Sequence, residues 1–149
     1  MEIRPATPQD IRQVKACAEA AYEVYVAAIG KKPAPMVADF AAAQTAGQLH
    51  VAEASGEVAG FVVFYDRSDH VHLENVAVSP GHQGKGIGRA LVDFVERDAR
   101  ARGIATIELY TNVKMSGNLT LYPALGYTEV GRWNEDGFDR VFFRKLLKP

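Results

Sequence analysis

The sequence predicts a single α/β domain, a mixed central sheet of about seven strands with flanking helices, in the order βααβββαβαββ. Three observations predict it. Stretches with apolar residues at helical spacing alternate with short apolar runs of strand length. Glycine- and proline-bearing breaks separate nearly every such stretch from the next. The 149 residues suit one compact domain, residues 1–149, with one core.

Residues 1–4 read as a short strand. Thr7-Pro8-Gln9-Asp10 is a helix start, with Thr7 as the cap, Pro8 at the first helical position and Asp10 where a capping-box acid sits. Ile11, Val14, Ala18, Tyr22 and Tyr25 recur at helical spacing and predict a helix over about 8–28. Gly30-Lys31-Lys32-Pro33-Ala34-Pro35 breaks it and opens a loop. A second helix over 36–46 stops at Gly47. Strands over 49–54 and 58–65 flank Ser55-Gly56-Glu57 as a hairpin, and 70–78 is a third strand, ended by Ser79-Pro80-Gly81. Ile87, Ala90, Leu91, Phe94 and Val95 mark an amphipathic helix ending at Gly103. Then come a strand over 105–110, a short helix over 118–125 closed by Gly126, and strands over 127–133 and 138–147 joined through Asp136-Gly137.

Composition excludes several classes. Net charge is −1, so no whole-chain field points to nucleic acid or an anionic membrane. No apolar run approaches the roughly 20 residues of a membrane helix. Met1-Glu2-Ile3-Arg4-Pro5 lacks the apolar stretch of a signal peptide, so the expected location is cytoplasmic. Cys17 is a lone cysteine, expected in the core, and no Cys/His spacing for zinc exists, so no metal is expected. Neither nucleic acid nor a membrane is expected as a partner; a homodimer is compatible with the chain.

Gln83-Gly84-Lys85-Gly86-Ile87-Gly88 joins a strand to a helix N-terminus. Glycines let backbone N–H groups approach a ligand, and the helix adds free N–H groups and the positive end of its dipole. Lys85 and Arg89 are nearby cations, so the turn reads as a pyrophosphate site; a merely tight turn is the plainer alternative. A mononucleotide P-loop fails on spacing, and a dinucleotide fingerprint fails at its third glycine.

Gln83-x-x-Gly86-x-Gly88, preceded by Val76-Ala77-Val78-Ser79-Pro80, resembles the acetyl-coenzyme A motif of the GNAT N-acetyltransferase superfamily. Leu121-Tyr122-Pro123-Ala124-Leu125-Gly126-Tyr127 is similar to that family's LYxxLGF/Y motif, and the element order is also the family's, so the resemblance covers nearly the whole chain. It implies acetyl-coenzyme A as cosubstrate and transfer of its acetyl group directly to an amine. It implies that the backbone of Val76, Ala77 and Val78 pairs with the pantetheine arm, with a free N–H near Val76 polarising the thioester carbonyl. The diphosphate loop maps to Gln83, Gly84, Lys85, Gly86, Ile87 and Gly88, Ile87 being a core residue as well.

Tyr122 matches the tyrosine that commonly serves the family as general acid to the leaving thiolate; the alternative is packing under the cofactor. Pro123 departs from the charged residue often found there, which predicts a late or bent helix. Asn118 lies four residues before Tyr122 where the family often has an asparagine seven before, a position held here by Met115; it either faces the cofactor or caps the helix.

A base must take the proton of the acceptor ammonium. His70, His72 and Glu74 alternate along one strand and form one polar row, which the family's habit makes catalytic and which is otherwise a solvated sheet face. Glu74 is the first choice and His72 the second; glutamate needs a raised pKa or a water relay, histidine no tuning. Some members of the family instead carry a carboxylate on the following strand; Tyr110 stands at about that position here, which speaks against that route. The resemblance places the acceptor between the first two helices, their loop and the final hairpin, which nominates Tyr22, Tyr25, Lys31, Lys32, Pro33, Pro35 and Met36, with Glu135, Asp136 and Asp139 on the hairpin. A small-molecule amine is the expected acceptor; a protein or charged tRNA, or a catalytically silent acyl-coenzyme A binding module, are the alternatives. The near-neutral charge speaks against tRNA.

Overall fold

The computed structural model describes residues 1–148. Strand β1 (Glu2–Pro5) leads into helix α1 (Ile11–Tyr22), the short α2 (Val26–Ile29) and α3 (Phe40–Thr45). Three strands follow, β2 (Leu49–Ala54), β3 (Glu57–Asp66) and β4 (Val71–Val78), then α4 (Ile87–Ala101). β5 (Thr106–Asn112), α5 (Ser116–Ala124), β6 (Thr128–Glu135) and β7 (Phe138–Leu146) complete the domain.

The long first helix expected over 8–28 is broken into pieces. Pro8–Asp10 forms a 3-10 turn, in which the Thr7 N–H donates to Asp10 Oδ2 at 2.8 Å. Asp10 also takes Arg4 Nη1 at 2.8 Å, and that hydrogen bond holds its carboxyl at about 2 despite burial. A second 3-10 turn, Glu23–Tyr25, separates α1 from α2, and Gly30 ends α2 in the left-handed region at φ 87°. The helix expected over 36–46 is also shorter. Met36 belongs to a 3-10 turn, Ala34–Val37, and Asp39 starts α3 by accepting from the Ala42 N–H at 3.0 Å. Asp39 was a capping signal inside the expected helix.

Both hairpins form where Ser55-Gly56 and Asp136-Gly137 place consecutive positive φ values, 54° and 79°, then 55° and 81°. Those are the dihedrals of a tight primed turn, which glycine supplies without a Cβ clash.

The sheet has seven strands in the order β1-β2-β3-β4-β5-β7-β6. Every neighbouring pair is antiparallel except β4 and β5. Those two are parallel and pair only at Val71↔Ile107 and His72↔Glu108, then diverge. A core lies on each face. One joins Leu91, Val92 and Val95 of α4 to Val71, Leu73, Ile107, Leu109 and Val141. The other joins Val14, Cys17 and Ala18 of α1 and Phe40 of α3 to Val51, Phe61 and Val63. Cys17 is one of these core residues, and burial pushes its thiol up to about 12.

A bulge sits in the middle of β4. Val63 faces Asn75 and Phe64 faces Leu73, so β4 carries one extra residue, Glu74. Val71 and Leu73 before it, and Val76 and Val78 after it, pack toward the α4 core, while Ala77 packs toward α1. Glu74 and Asn75 are left as neighbours on the α1 side, next to the point where β5 departs.

Candidate active site

The divergence of β4 from β5 opens a cleft, lined by Tyr22 of α1, Pro33, Ala34, Pro35 and Ala38 of the loop, Leu73 to Val76 of β4, Tyr110 to Asn112 of β5, Met115, Asn118 and Tyr122 of α5, and Phe138 and Arg140 of β7. Chemistry differs along its length.

At one end the groups on offer are backbone. The Ser79 N–H donates to Ala59 O at 2.8 Å, so the facing pair Gly60↔Val78 is one that exchanges no ladder bonds. Two residues earlier, Val76↔Val62 is of the same kind. The N–H and C=O groups of Val76 and Val78 therefore point away from β3 into the opening, and those of Ala77 point to β3. Beyond them, Gly84 and Gly86 sit in the left-handed region at φ 79° and 78°, and a Cβ on either would meet nothing within 4 Å. Gly86 is the residue before the first turn of α4, whose leading N–H groups have no intrahelical acceptor. Lys85 and Arg89 are exposed beside it, Gln83 reaches back to Val78 O at 3.4 Å, and Ile87 is buried in the core. An extended arm bearing amides and ending in a pyrophosphate fits this run of groups. Among the described residues no cluster suits a metal ion.

At the middle of the cleft lies the bulge. The Glu74 carboxylate lines the opening and lies 2.6 Å from His72 Nε2 through Oε2, which also accepts from the Tyr65 hydroxyl at 3.1 Å. His72 is buried behind it, its ring 5.3 Å from that of Tyr65 and 5.3 Å from that of Tyr110. The His72 hydrogen bond holds the Glu74 carboxyl below its usual range; burial opposes this, and the charges of His72 and Arg140 and the Tyr65 bond assist. The raised pKa expected of a glutamate base is therefore not found; the hydrogen bond from His72 shifts the carboxyl the other way. His70 does not join the row. It precedes β4, contacts Asp69 at 2.7 Å and faces Glu108 at 3.8 Å.

Tyr122 also lines the cleft. Its phenol is buried and burial alone pushes its pKa well above the usual value, so at neutral pH it holds its proton. Pro123 neither delays nor ends α5, which starts at Ser116 and runs to Ala124. Met115, not Asn118, is the residue before the helix; Asn118 turns toward the cleft and donates to Thr111 Oγ1 at 3.0 Å.

The acceptor residues divide. Tyr22 lines the cleft and donates to Asn75 Oδ1 at 2.8 Å and to Val76 O at 2.9 Å. Asn75 Nδ2 in turn donates to Pro35 O at 3.0 Å, tying the loop to β4. Met36 is instead packed in the α1-side core, because the 3-10 turn points it inward. Tyr25 is half-buried outside the cleft, with its hydroxyl near Gly117. Lys31 caps the hairpin, donating to Gly137 O at 3.1 Å over the Phe138 ring. Sequence reasoning missed Asn75, Tyr65, Thr111 and Arg140. Arg140 had a signal, since Phe138, Arg140 and Phe142 alternate on one strand and the middle position of an aromatic row is an unusual place for a cation.

Comparison with known proteins shows the fold and the family. A probable N-acetyltransferase family 8 member 5 of Mus musculus is 35% identical over 95 residues, 60% of this chain and 42% of that protein. The [ribosomal protein bS18]-alanine N-acetyltransferase of Escherichia coli (strain K12) is 33% identical over 75 residues, 50% of this chain and 51% of that protein. The chain thus spans about half the length of the curated relatives it matches. The crystal structure of PaiA N-acetyltransferase from Thermoplasma acidophilum, in complex with coenzyme A, shares the fold at a TM-score of 0.76 over 97% of this chain and 98% of that one, with 17% identity. The sequence pattern of the Acetyltransferase (GNAT) family matches residues 14–127, and the chain belongs to that family.

Proposed function

We propose that this protein is an N-acetyltransferase that uses acetyl-coenzyme A and acts by direct transfer on a small-molecule amine. The observation that carries the reading is the opening beside β4: free strand backbone that leads to the glycine turn, and a cleft lined by the Glu74 carboxylate and the buried Tyr122 phenol. Acetyl-coenzyme A supplies an acetyl thioester. Val76 and Val78 would hold its arm, and the N–H groups of residues 84–88 its pyrophosphate, with Lys85 and Arg89 beside it. The Val76 N–H is placed to hold a carbonyl oxygen as charge develops on it.

Glu74 takes the proton that the acceptor ammonium must lose, and His72, on the same oxygen, gives that proton a second resting place. The new C–N bond forms as the C–S bond breaks, and Tyr122 gives its proton to the departing sulfur. Cys17 is too buried and too far toward α1 to act as a nucleophile, so no acyl-enzyme is required. The cytoplasm is the expected compartment for this reading; no helix among the described residues is long and apolar enough to cross a membrane.

A second reading has one observation in its favour. The bacterial relative acts on an alanine of a ribosomal protein, which points to a peptide α-amine as acceptor. Thiol release from acetyl-coenzyme A, measured over a panel of amines, amino acids and peptides, tests both. Absence of release above the solvent rate for every acceptor, together with no heat of binding for coenzyme A, overturns the transferase reading.

A further inference from the structure

Arg140 forms the far wall of the cleft and is buried, with 7% of its surface exposed. Its guanidinium lies 4.3 Å over the Tyr110 ring and 5.6 Å from that of Phe138. Nη1 donates to Glu135 Oε1 at 2.9 Å and to Asp136 Oδ2 at 3.3 Å. Those two carboxylates are 45% and 79% exposed, so water screens much of their charge. Nε and Nη2 take no part in these contacts.

An arginine fork matches a carboxylate geometrically, and stacking on an aromatic face fixes the plane of the fork. The charge of Arg140 also reaches Glu74, where it helps hold the carboxyl in its ionised form. One cleft therefore sets an anion that suits an ammonium beside a cation that suits an anion. Around them Pro33, Pro35 and Ala38 are apolar.

We propose that the acceptor is a free α-amino acid with an apolar side chain, its carboxylate held by Nε and Nη2 of Arg140 while its amine faces Glu74. This rests on the acetyltransferase reading and narrows it. A polyamine would find Arg140 repulsive, and a peptide N-terminus would place an uncharged amide against it. The bonds made and broken are those given above, with the amine proton going to Glu74 and the phenol proton of Tyr122 to sulfur.

Leucine, leucinamide and 3-methylbutylamine separate the possibilities, compared as kcat/KM with acetyl-coenzyme A and as calorimetric binding in the presence of coenzyme A. Leucinamide has the less basic amine, so it would win on proton loss alone and mimics a peptide. The expected result is that the wild type prefers leucine over both by about tenfold or more, as a charged hydrogen-bonded pair provides. Arg140→Lys keeps the charge without the fork and should lose most of that preference; Arg140→Gln should lose all of it. Should the buried position not tolerate glutamine, Glu135→Gln serves, since it removes a competing carboxylate charge from Arg140 and should widen the preference for leucine. Equal or better use of leucinamide by the wild type, or an unchanged ratio in Arg140→Lys, overturns the proposal. If no amine releases thiol, the transferase reading falls, and calorimetry still decides whether leucine binds and whether Arg140→Lys weakens it.

Discussion

At the glycine-turn end of the cleft the groups offered to a ligand are backbone N–H and C=O from residues 76–88; at the other end they are side chains from β3, β4, β5 and β7. The first end is contiguous in the chain and needs only local dihedrals. The second is assembled by sheet topology, since Tyr65, His72, Tyr110 and Arg140 meet only because β3, β4, β5 and β7 lie side by side. A ligand shared by a whole family can be held by backbone, which tolerates side-chain change. An acceptor particular to one protein needs side chains. The difference predicts that mutations at the two ends act on different constants.

The largest effect should come from the backbone end. Gly86→Asp adds a negative charge at the start of α4 and a side chain at φ 78°, so coenzyme A binding measured by calorimetry should be lost; the left-handed backbone should cost about 1–2 kcal/mol of stability, but a Cβ there meets nothing, so the fold should be retained by circular dichroism. Retained affinity would break the assignment of that end.

Glu74→Gln should lower kcat/KM by a hundred- to a thousandfold and leave coenzyme A affinity unchanged. His72→Gln should cost about tenfold and alter the shape of the pH–rate profile, because only the second resting place of the proton is lost. A Glu74→Gln protein with the wild-type profile would move the base elsewhere. Glu74 also links folding to pH. Its folded pKa is depressed below the usual 4.5, so its stabilising contribution is present above that value and fades as pH falls through the folded pKa. The difference in Tm between wild type and Glu74→Gln should therefore shrink as the pH is taken down through the range below 4.5. A difference that grows on acidification would contradict the direction of the shift.

Tyr122→Phe should reduce kcat by about a hundredfold where chemistry limits the rate, with KM for acetyl-coenzyme A little changed. Full turnover would make Tyr122 a packing residue. The smallest effect belongs to Tyr22→Phe, which releases Asn75 from its fixed orientation and so loosens its hold on Pro35. KM for the acceptor should rise by about three- to tenfold and the affinity for coenzyme A should stay. Equal loss at both ends would show Tyr22 to be structural for the whole cleft rather than for its acceptor wall.

How much of this was legible in the sequence follows from the same contrast. The glycine turn, the hairpin turns and the strand before α4 are local, and Gly84, Gly86, Ser55-Gly56 and Asp136-Gly137 adopt the positive φ that their residue types favour. The family itself was readable from two motifs. Met36 and Tyr25 were misplaced because the helices expected over 8–28 and 36–46 give way at Tyr25 and Met36 to 3-10 turns, which change which way a side chain points. The pairing of Glu74 with His72 could be anticipated from alternation. The bulge could not, because it is a property of the register between β3 and β4, and it alone puts Glu74 and Asn75 together on the α1 side. Arg140 was hidden for a related reason: its distance from Tyr110 depends on β7 inserting between β5 and β6.

The early parting of β4 and β5 has a consequence for exchange with solvent. β4 is a central strand, and amides of central strands ordinarily exchange at the rate set by global unfolding. Val76 and Val78 turn their N–H groups into the opening, so they should exchange as amides at the margin of a sheet do, while Ala77 between them stays protected. Such a margin ordinarily invites another strand, with the risk of aggregation. Here α5 and the loop of residues 33–38 line the opening beside Val76, so the free groups face protein walls rather than open solvent. The sheet thus keeps one adhesive edge in its interior, where a neighbouring sheet cannot reach it.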